Sequence, residues 1–189
     1  MRELILKMSM SLDGFVSDLD GTNTWMFGSD PASQAWAVET TWNASLHIMG
    51  SRSFLAMASF WPTSTMAFAA PMNQIPKAVF SRQGAAILEA AKPGAASWAE
   101  AYVASGDLAE EIAKLKTERG KPILAHGGVS FARSLVTQGL VDQLILGVHP
   151  IALGKGLPLF CDLPAPKPLK LISSKAFPGG AMAQVYRPA

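Results

Sequence analysis

The stretch Leu124-Ala125-His126-Gly127-Gly128-Val129-Ser130 decides how this chain reads. An apolar run ends in paired glycines, and a helical pattern over Val129–Gln138 follows and stops at Gly139. That order is a strand, a tight turn and a helix. The same order recurs in Ile48-Met49-Gly50-Ser51-Arg52-Ser53, and a further strand, Lys77–Phe80, ends in Ser81-Arg82. Strands alternating with helices predict an α/β fold with mostly parallel pairing.

Working outward, Leu4–Met10 reads as the first strand, closed by Asp13-Gly14, with Phe15–Val16 extended again. Residues 17–28 read as loop. Ser29-Asp30-Pro31 is a helix start, a capping side chain followed by proline in the first turn, and the helix runs to about Trp42. Ser51–Ser59 and Asp107–Arg119 are further helices; Leu108, Ile112 and Leu115 share one face of the second. Trp98–Val103 reads as a short strand and Leu144–Val148 as a buried one. Residues 150–163 read as loop. Leu169–Ser173 and Met182–Tyr186 flank Pro178-Gly179-Gly180 and predict a closing antiparallel pair, so the sheet is mixed. One domain spanning 1–189 is expected from the length.

Composition removes several function classes. Sixteen Lys+Arg against fourteen Asp+Glu leave a net charge of +2, too little for a strongly basic nucleic-acid binder. Cys161 is the single cysteine, which excludes a disulfide framework and a zinc ribbon. His47, His126 and His149 share no ligand spacing, so no metal is expected. Asp18-Leu19-Asp20-Gly21 lacks the later glycine and glutamate of a calcium loop. No apolar run reaches the ~18 residues of a membrane span, and Glu3 and Lys7 break up any signal-peptide core. A soluble cytoplasmic protein is expected.

The glycine turns carry the chemistry. A helix N-terminus offers free N–H groups and a positive dipole end, and glycine admits a phosphate to the backbone. Ligands of open α/β sheets bind beyond the carboxyl ends of strands. Three such ends point to a dinucleotide, although neither G-x-G-x-x-G after a strand nor a Walker loop is present. A competing enzyme class is a serine hydrolase. Gly128-Val129-Ser130 approaches a nucleophile elbow, and Asp142 and His149 follow in triad order. At about 3.3 Å per residue those two would stand roughly 20 Å apart across one strand, too far for a triad.

Lys7-Met8-Ser9-Met10-Ser11-Leu12-Asp13-Gly14-Phe15-Val16, with Trp25 following, resembles the start of the dihydrofolate reductase-like family. The closer branch holds the C-terminal reductase domain of bacterial riboflavin biosynthesis. Ile48 through Phe54 is similar to its first cofactor turn, and Lys77 through Arg82 to its second. His126 through Leu135, Gly139-Leu140-Val141-Asp142, and Pro150 with Gly154 through Phe160 extend the match over nearly the whole chain.

The resemblance implies a mixed sheet flanked by helices, NADPH as hydride donor, and often a homodimer. It implies a small heteroaromatic or imine acceptor, pterin-like or riboflavin-precursor-like. Carried over by position, Gly50, Ser51, Arg52 and Ser53 would hold the pyrophosphate and nearby phosphates. Ser81 and Arg82 would hold the adenosine 2′-phosphate, a role that suits a guanidinium fork. Gly127, Gly128, Val129 and Ser130 would meet the pyrophosphate or nicotinamide ribose, with Val16 and the Asp13-Gly14 turn near nicotinamide and substrate. The substrate carboxylate of folate reductases falls at Gln34, which cannot ionise, so folate is not the expected substrate. Asp13 is the expected polar substrate contact and candidate acid; a turn-forming Asp-Gly accounts for the same residues. Trp25 and Trp36 are expected to line an aromatic pocket. A nucleotide-binding protein of this fold without turnover is the non-enzymatic alternative.

Overall fold

In the computed structural model, which describes residues 1–28, 30–91 and 96–189, a single eight-stranded sheet organises the chain. Its strands are β1 (Leu4–Ser11), β3 (Leu46–Gly50), β4 (Lys77–Phe80), β5 (Tyr102–Ala104), β6 (Ile123–Ala125), β7 (Gln143–His149), β9 (Leu169–Ala176) and β10 (Met182–Pro188). They lie in the order β5-β4-β3-β6-β1-β7-β10-β9. The first six in that order pair in parallel, and β10 pairs antiparallel with both β7 and β9. A separate pair joins β2 (Phe15–Ser17) to β8 (Leu157–Pro158).

Alternation along β1 builds the two apolar layers. Leu4 and Leu6 are buried in the main core with Ile112 and Leu115 of α5 (Leu108–Thr117) and Ala132 and Leu135 of α6 (Val129–Thr137). Ile5 points the other way, into a cluster with Leu124, Ile145 and Trp36 of α1 (Pro31–Trp42). A further cluster joins Phe54 and Ala58 of α2 (Ser51–Phe60) to Val79 and Trp98. Asp30 caps α1, its Oδ1 accepting from the Ala32 and Ser33 amides; Ser29 lies outside the described residues. Asp107 caps α5 in the same way.

Five stretches depart from the expected elements. Trp98 sits in a short helix, α4 (Ala96–Ala99), which follows α3 (Ala69–Gln74) in the chain, rather than in a strand. Its ring is fully buried against Phe54 and its Nε1 donates to Asn73 Oδ1, so tertiary packing overrides local β-propensity. The loop over residues 17–28 contains a 3-10 turn, Thr24–Gly28. The loop over residues 150–163 contributes β8, held by its pairing with β2. Both closing strands run longer than their apolar stretches, because β9 is exposed along nearly its whole length and pairs through its backbone.

Candidate functional site

Because β1, β3, β4, β6 and β7 are parallel, their carboxyl ends share one edge of the sheet. There β3 runs through Gly50 into α2, and β6 runs through His126-Gly127-Gly128 into α6. Gly127 and Gly128 have φ of +87° and +78°, a succession only glycine adopts without strain. The turns also leave no room for side chains. A Cβ on Gly127 would lie 2.6 Å from Met8 Sδ, and one on Gly128 2.8 Å from Ser53 Oγ. A Cβ on Gly50 would lie 3.0 Å from Phe131 Cβ of α6. The two helix openings therefore interlock, and each carries the unbonded amides of a helix first turn.

The other expected cofactor residues surround that point. Ser51 and Ser53 are half-buried in the first turn of α2, with Arg52 exposed between them. Val129 is half-buried and Ser130 exposed in the first turn of α6. At the end of β4, Ser81 is buried; its amide donates to the Ala104 carbonyl and its Oγ accepts from the Gln83 amide. That bracing leaves Arg82 exposed at the rim. Neither Arg52 nor Arg82 is in an ion pair among the described residues.

Asp13 is a clasp. Its carboxylate accepts from Ser11 Oγ at 2.6 Å, from the Gly154 amide at 2.7 Å and from the Leu153 amide at 3.1 Å. The Ser11 hydroxyl, then the Gly154 amide, hold its pKa down to about 2. It ties the β1–β2 turn to the loop after β7 and has no proton to give at neutral pH. Val16 is buried in the main core, with its side chain in the apolar layer. Gln34 is exposed in the first half of α1. Trp25 stands edge-on to His149, with ring centroids 5.4 Å apart, and its Nε1 is buried without a partner. Trp36 does not join it. It packs on Phe177 at 5.7 Å and lines a groove of about 540 Å³ with Trp42, Lys121 and Gln143, at the amino ends of the strands.

Three residues that the sequence reading did not place in the site belong to this region. Lys7, in the middle of β1, is half-buried and has no carboxylate partner among the described residues. Burial lowers its pKa to about 8. Its charge in turn depresses His47, His126 and His149. Leu6 pairs with Ala125, so Lys7 and His126, the residues that follow them, lie level with one another. His47 is fully buried, and burial first, then Lys77, brings its pKa to about 3. Burial, then His47, lowers His126 well below the usual imidazole range. The signal for Lys7 was present in the sequence: a lysine inside an otherwise apolar strand.

The hydrolase constellation is absent. Asp142 precedes β7 and accepts from the Leu4 amide and Lys116 Nζ, both at 2.6 Å, while His149 ends the same strand. The two are held at opposite edges of the sheet. Among the described residues no three His, Cys, Asp or Glu side chains are grouped to hold a metal. No described helix is long and apolar enough to cross a membrane.

Residues 2–183 match the model of the RibD C-terminal domain. The chain belongs to the RibD C-terminal domain family. Membership supports an oxidoreductase of the riboflavin-reductase type. A curated relative, the uncharacterized protein YyaP of Bacillus subtilis, is 28% identical over 190 residues, covering 98% of this chain and 94% of its own. A putative riboflavin biosynthesis protein from Shewanella sp. PV-4 shares the fold, with a TM-score of 0.75, 20% identity and 99% coverage of both chains. The Thermotoga maritima diaminohydroxyphosphoribosylaminopyrimidine deaminase/5-amino-6-(5-phosphoribosylamino)uracil reductase aligns with a TM-score of 0.68 at 18% identity. All of this RibD C-terminal domain aligns to 57% of that longer chain.

Proposed function

We propose that this protein is an NADPH-dependent reductase that transfers hydride to a small heteroaromatic or imine acceptor, pterin-like or riboflavin-precursor-like. The observation that carries the reading is the interlock of Gly128 with Ser53, which brings two helix N-termini to one point at the carboxyl edge of the sheet. Gly50, Ser51, Ser53, Gly127, Gly128, Val129 and Ser130 would cradle the pyrophosphate and adjoining ribose. Arg52 adds a cation in the first turn of α2. Ser81 and Arg82 would take the 2′-phosphate, Arg82 through its two-pronged guanidinium.

NADPH, when bound, supplies the hydride. The chain's own contribution is to orient and desolvate the acceptor. Trp25 offers an aromatic wall and a free indole N–H. Lys7, with its pKa near 8, keeps its proton at neutral pH and is the candidate donor to an imine nitrogen. Asp13 keeps the adjoining loops closed over that end. A homodimer belongs to the same reading: β9 is an edge strand with Leu171 and Ile172 about half exposed, open to a second copy. Sedimentation equilibrium tests that point.

The functional test is calorimetric titration with NADPH and NADH, followed by a spectrophotometric screen of heteroaromatic acceptors for NADPH oxidation. Preferential NADPH binding with turnover supports the reading. Tight binding without turnover on any acceptor leaves a nucleotide-binding protein, and no binding removes both.

A further inference from the structure

Arg133 has no task in the site so far described, yet it is fully engaged beside it. Its Nε and one terminal N–H both donate to the Pro158 carbonyl, at 2.9 and 2.6 Å. A carbonyl oxygen has two lone pairs, and here one guanidinium fills both. Arg133 is half-buried and has no carboxylate partner among the described residues, so its charge strengthens these two bonds.

Pro158 belongs to a flap. β1 runs on from Leu6, the partner of Ala125, to Ser11, roughly 16 Å past the end of β6 at about 3.3 Å per residue, and β7 keeps pace to His149. From those ends residues 12–17 and 151–159 fold back together. The Leu12 amide donates to the Ile151 carbonyl, and Asp13 accepts from the Leu153 and Gly154 amides. The Leu159 amide donates to the Gly14 carbonyl, and β2 pairs with β8. A Cβ on Gly156 would overlap the Ser17 carbonyl, so the two segments are in close contact. A two-stranded pair is marginal alone, and Pro158 has no N–H to add to it. The flap therefore depends on its hold on the rest of the chain. Val16 and Leu159 enter the main core, which Ala132 of α6 shares. Among the described residues, the hydrogen bonds from α6 to the flap are the two from Arg133.

α6 opens at Gly128, in the proposed cofactor cradle. Arg133 lies about one turn beyond Val129, roughly 6 Å along the axis. One helix thus meets the cradle at its first turn and grips the flap at its second.

We infer that Arg133 is a positioning residue for hydride transfer. It fastens the flap to the helix that would hold the cofactor, and so sets how closely the turn over residues 13–16 covers the nicotinamide end. It acts through the Pro158 carbonyl and touches neither cofactor nor acceptor. Its loss leaves dinucleotide binding intact and opens the covered end to water. The inference rests on the reductase reading for the cofactor at α6.

The test compares wild type with Arg133→Met, which keeps an apolar stem and removes the donors. Hydrogen exchange in the free proteins is expected to rise about tenfold or more at the Gly154 and Leu159 amides, the scale of a lost hydrogen bond to a charged group. Exchange at Ile5 and Leu124 in the sheet should not change. Unchanged exchange in the flap, or an equal rise in the sheet, overturns the inference. NADPH is the second probe, with acrylamide quenching of its fluorescence reading the exposure of the dihydronicotinamide. Wild type is expected to shield bound NADPH, and Arg133→Met to lose that shielding while binding NADPH with unchanged affinity. Bound NADPH as exposed as free NADPH in wild type, or affinity and shielding lost together in the variant, overturns the positioning role. Arg133→Lys keeps one donor and is expected to fall between the two; it carries the comparison if Arg133→Met does not fold. If wild type does not bind NADPH, the reductase reading fails, and exchange at Gly154 and Leu159 still decides whether Arg133 fastens the flap.

Discussion

Gly128→Ala probes the interlocked turns most sharply. Residue 128 has φ of +78° and ψ of 113°, outside the regions open to alanine. Holding a side-chain-bearing residue there costs of order 1–3 kcal/mol. The new Cβ would also sit 2.8 Å from Ser53 Oγ and force that side chain off its rotamer, about 1 kcal/mol more. The sum is about 3 kcal/mol. At about 2–4 °C per kcal/mol for a chain of this size, Tm should fall by roughly 6–12 °C. Gly21→Ala is the control, with φ of +86° but nothing within 4 Å of its Cβ, so it carries the backbone cost alone. Scanning calorimetry gives both melting points, and titration gives NADPH affinity. Displacing Ser53 from the cradle should weaken NADPH by more than about tenfold, the scale of a lost hydrogen bond to a charged group. If Gly128→Ala melts with Gly21→Ala and binds NADPH like wild type, the interlock does not form the cradle.

Arg82→Ala should weaken NADPH by about tenfold, the lower end for an exposed charge-assisted bond, and leave NADH nearly unchanged; equal weakening of both in competition titrations removes Arg82 from the 2′-phosphate. The pH dependence of stability follows from His47, whose pKa falls from 6.5 to about 3 on folding. The unfolded chain then binds the extra proton below pH 6.5, so stability is complete above that pH and is lost as pH falls toward 3. Urea midpoints should drop between pH 7 and 4.5 at up to about 1.4 kcal/mol per pH unit from this residue, and a flat profile would contradict its buried neutral state. Asp13→Asn should speed hydrogen exchange at the Leu153 and Gly154 amides without changing the shape of the pH–rate profile; abolished turnover with those amides still protected would make Asp13 a catalytic acid.

The sheet was legible where local chemistry and tertiary context agree. β4 and β6 begin and end where the apolar runs do, because a turn residue stops each. Asp30 announced its helix, since capping is a property of a few consecutive residues; the helix after Asp107 was legible from the shared face of Leu108, Ile112 and Leu115. Trp98 misled because its burial depends on Phe54 and Asn73, distant in sequence. Asp13 was legible as a turn former, but the amides it grips lie about 140 residues on. The Lys7, His47 and His126 group was hidden for the same reason. Lys7, His47 and His126 come from three segments that become neighbours only through the register of β1, β6 and β3.

The central claim is that the glycine turns and Arg82 together hold a 2′-phosphorylated nicotinamide dinucleotide. Isothermal titration of the purified protein with NADPH, and separately with NADH, tests it most directly. The account predicts saturable one-site NADPH binding with a clear preference over NADH. Binding of neither nucleotide would contradict it, and the two turns would then be strand-to-helix connections alone.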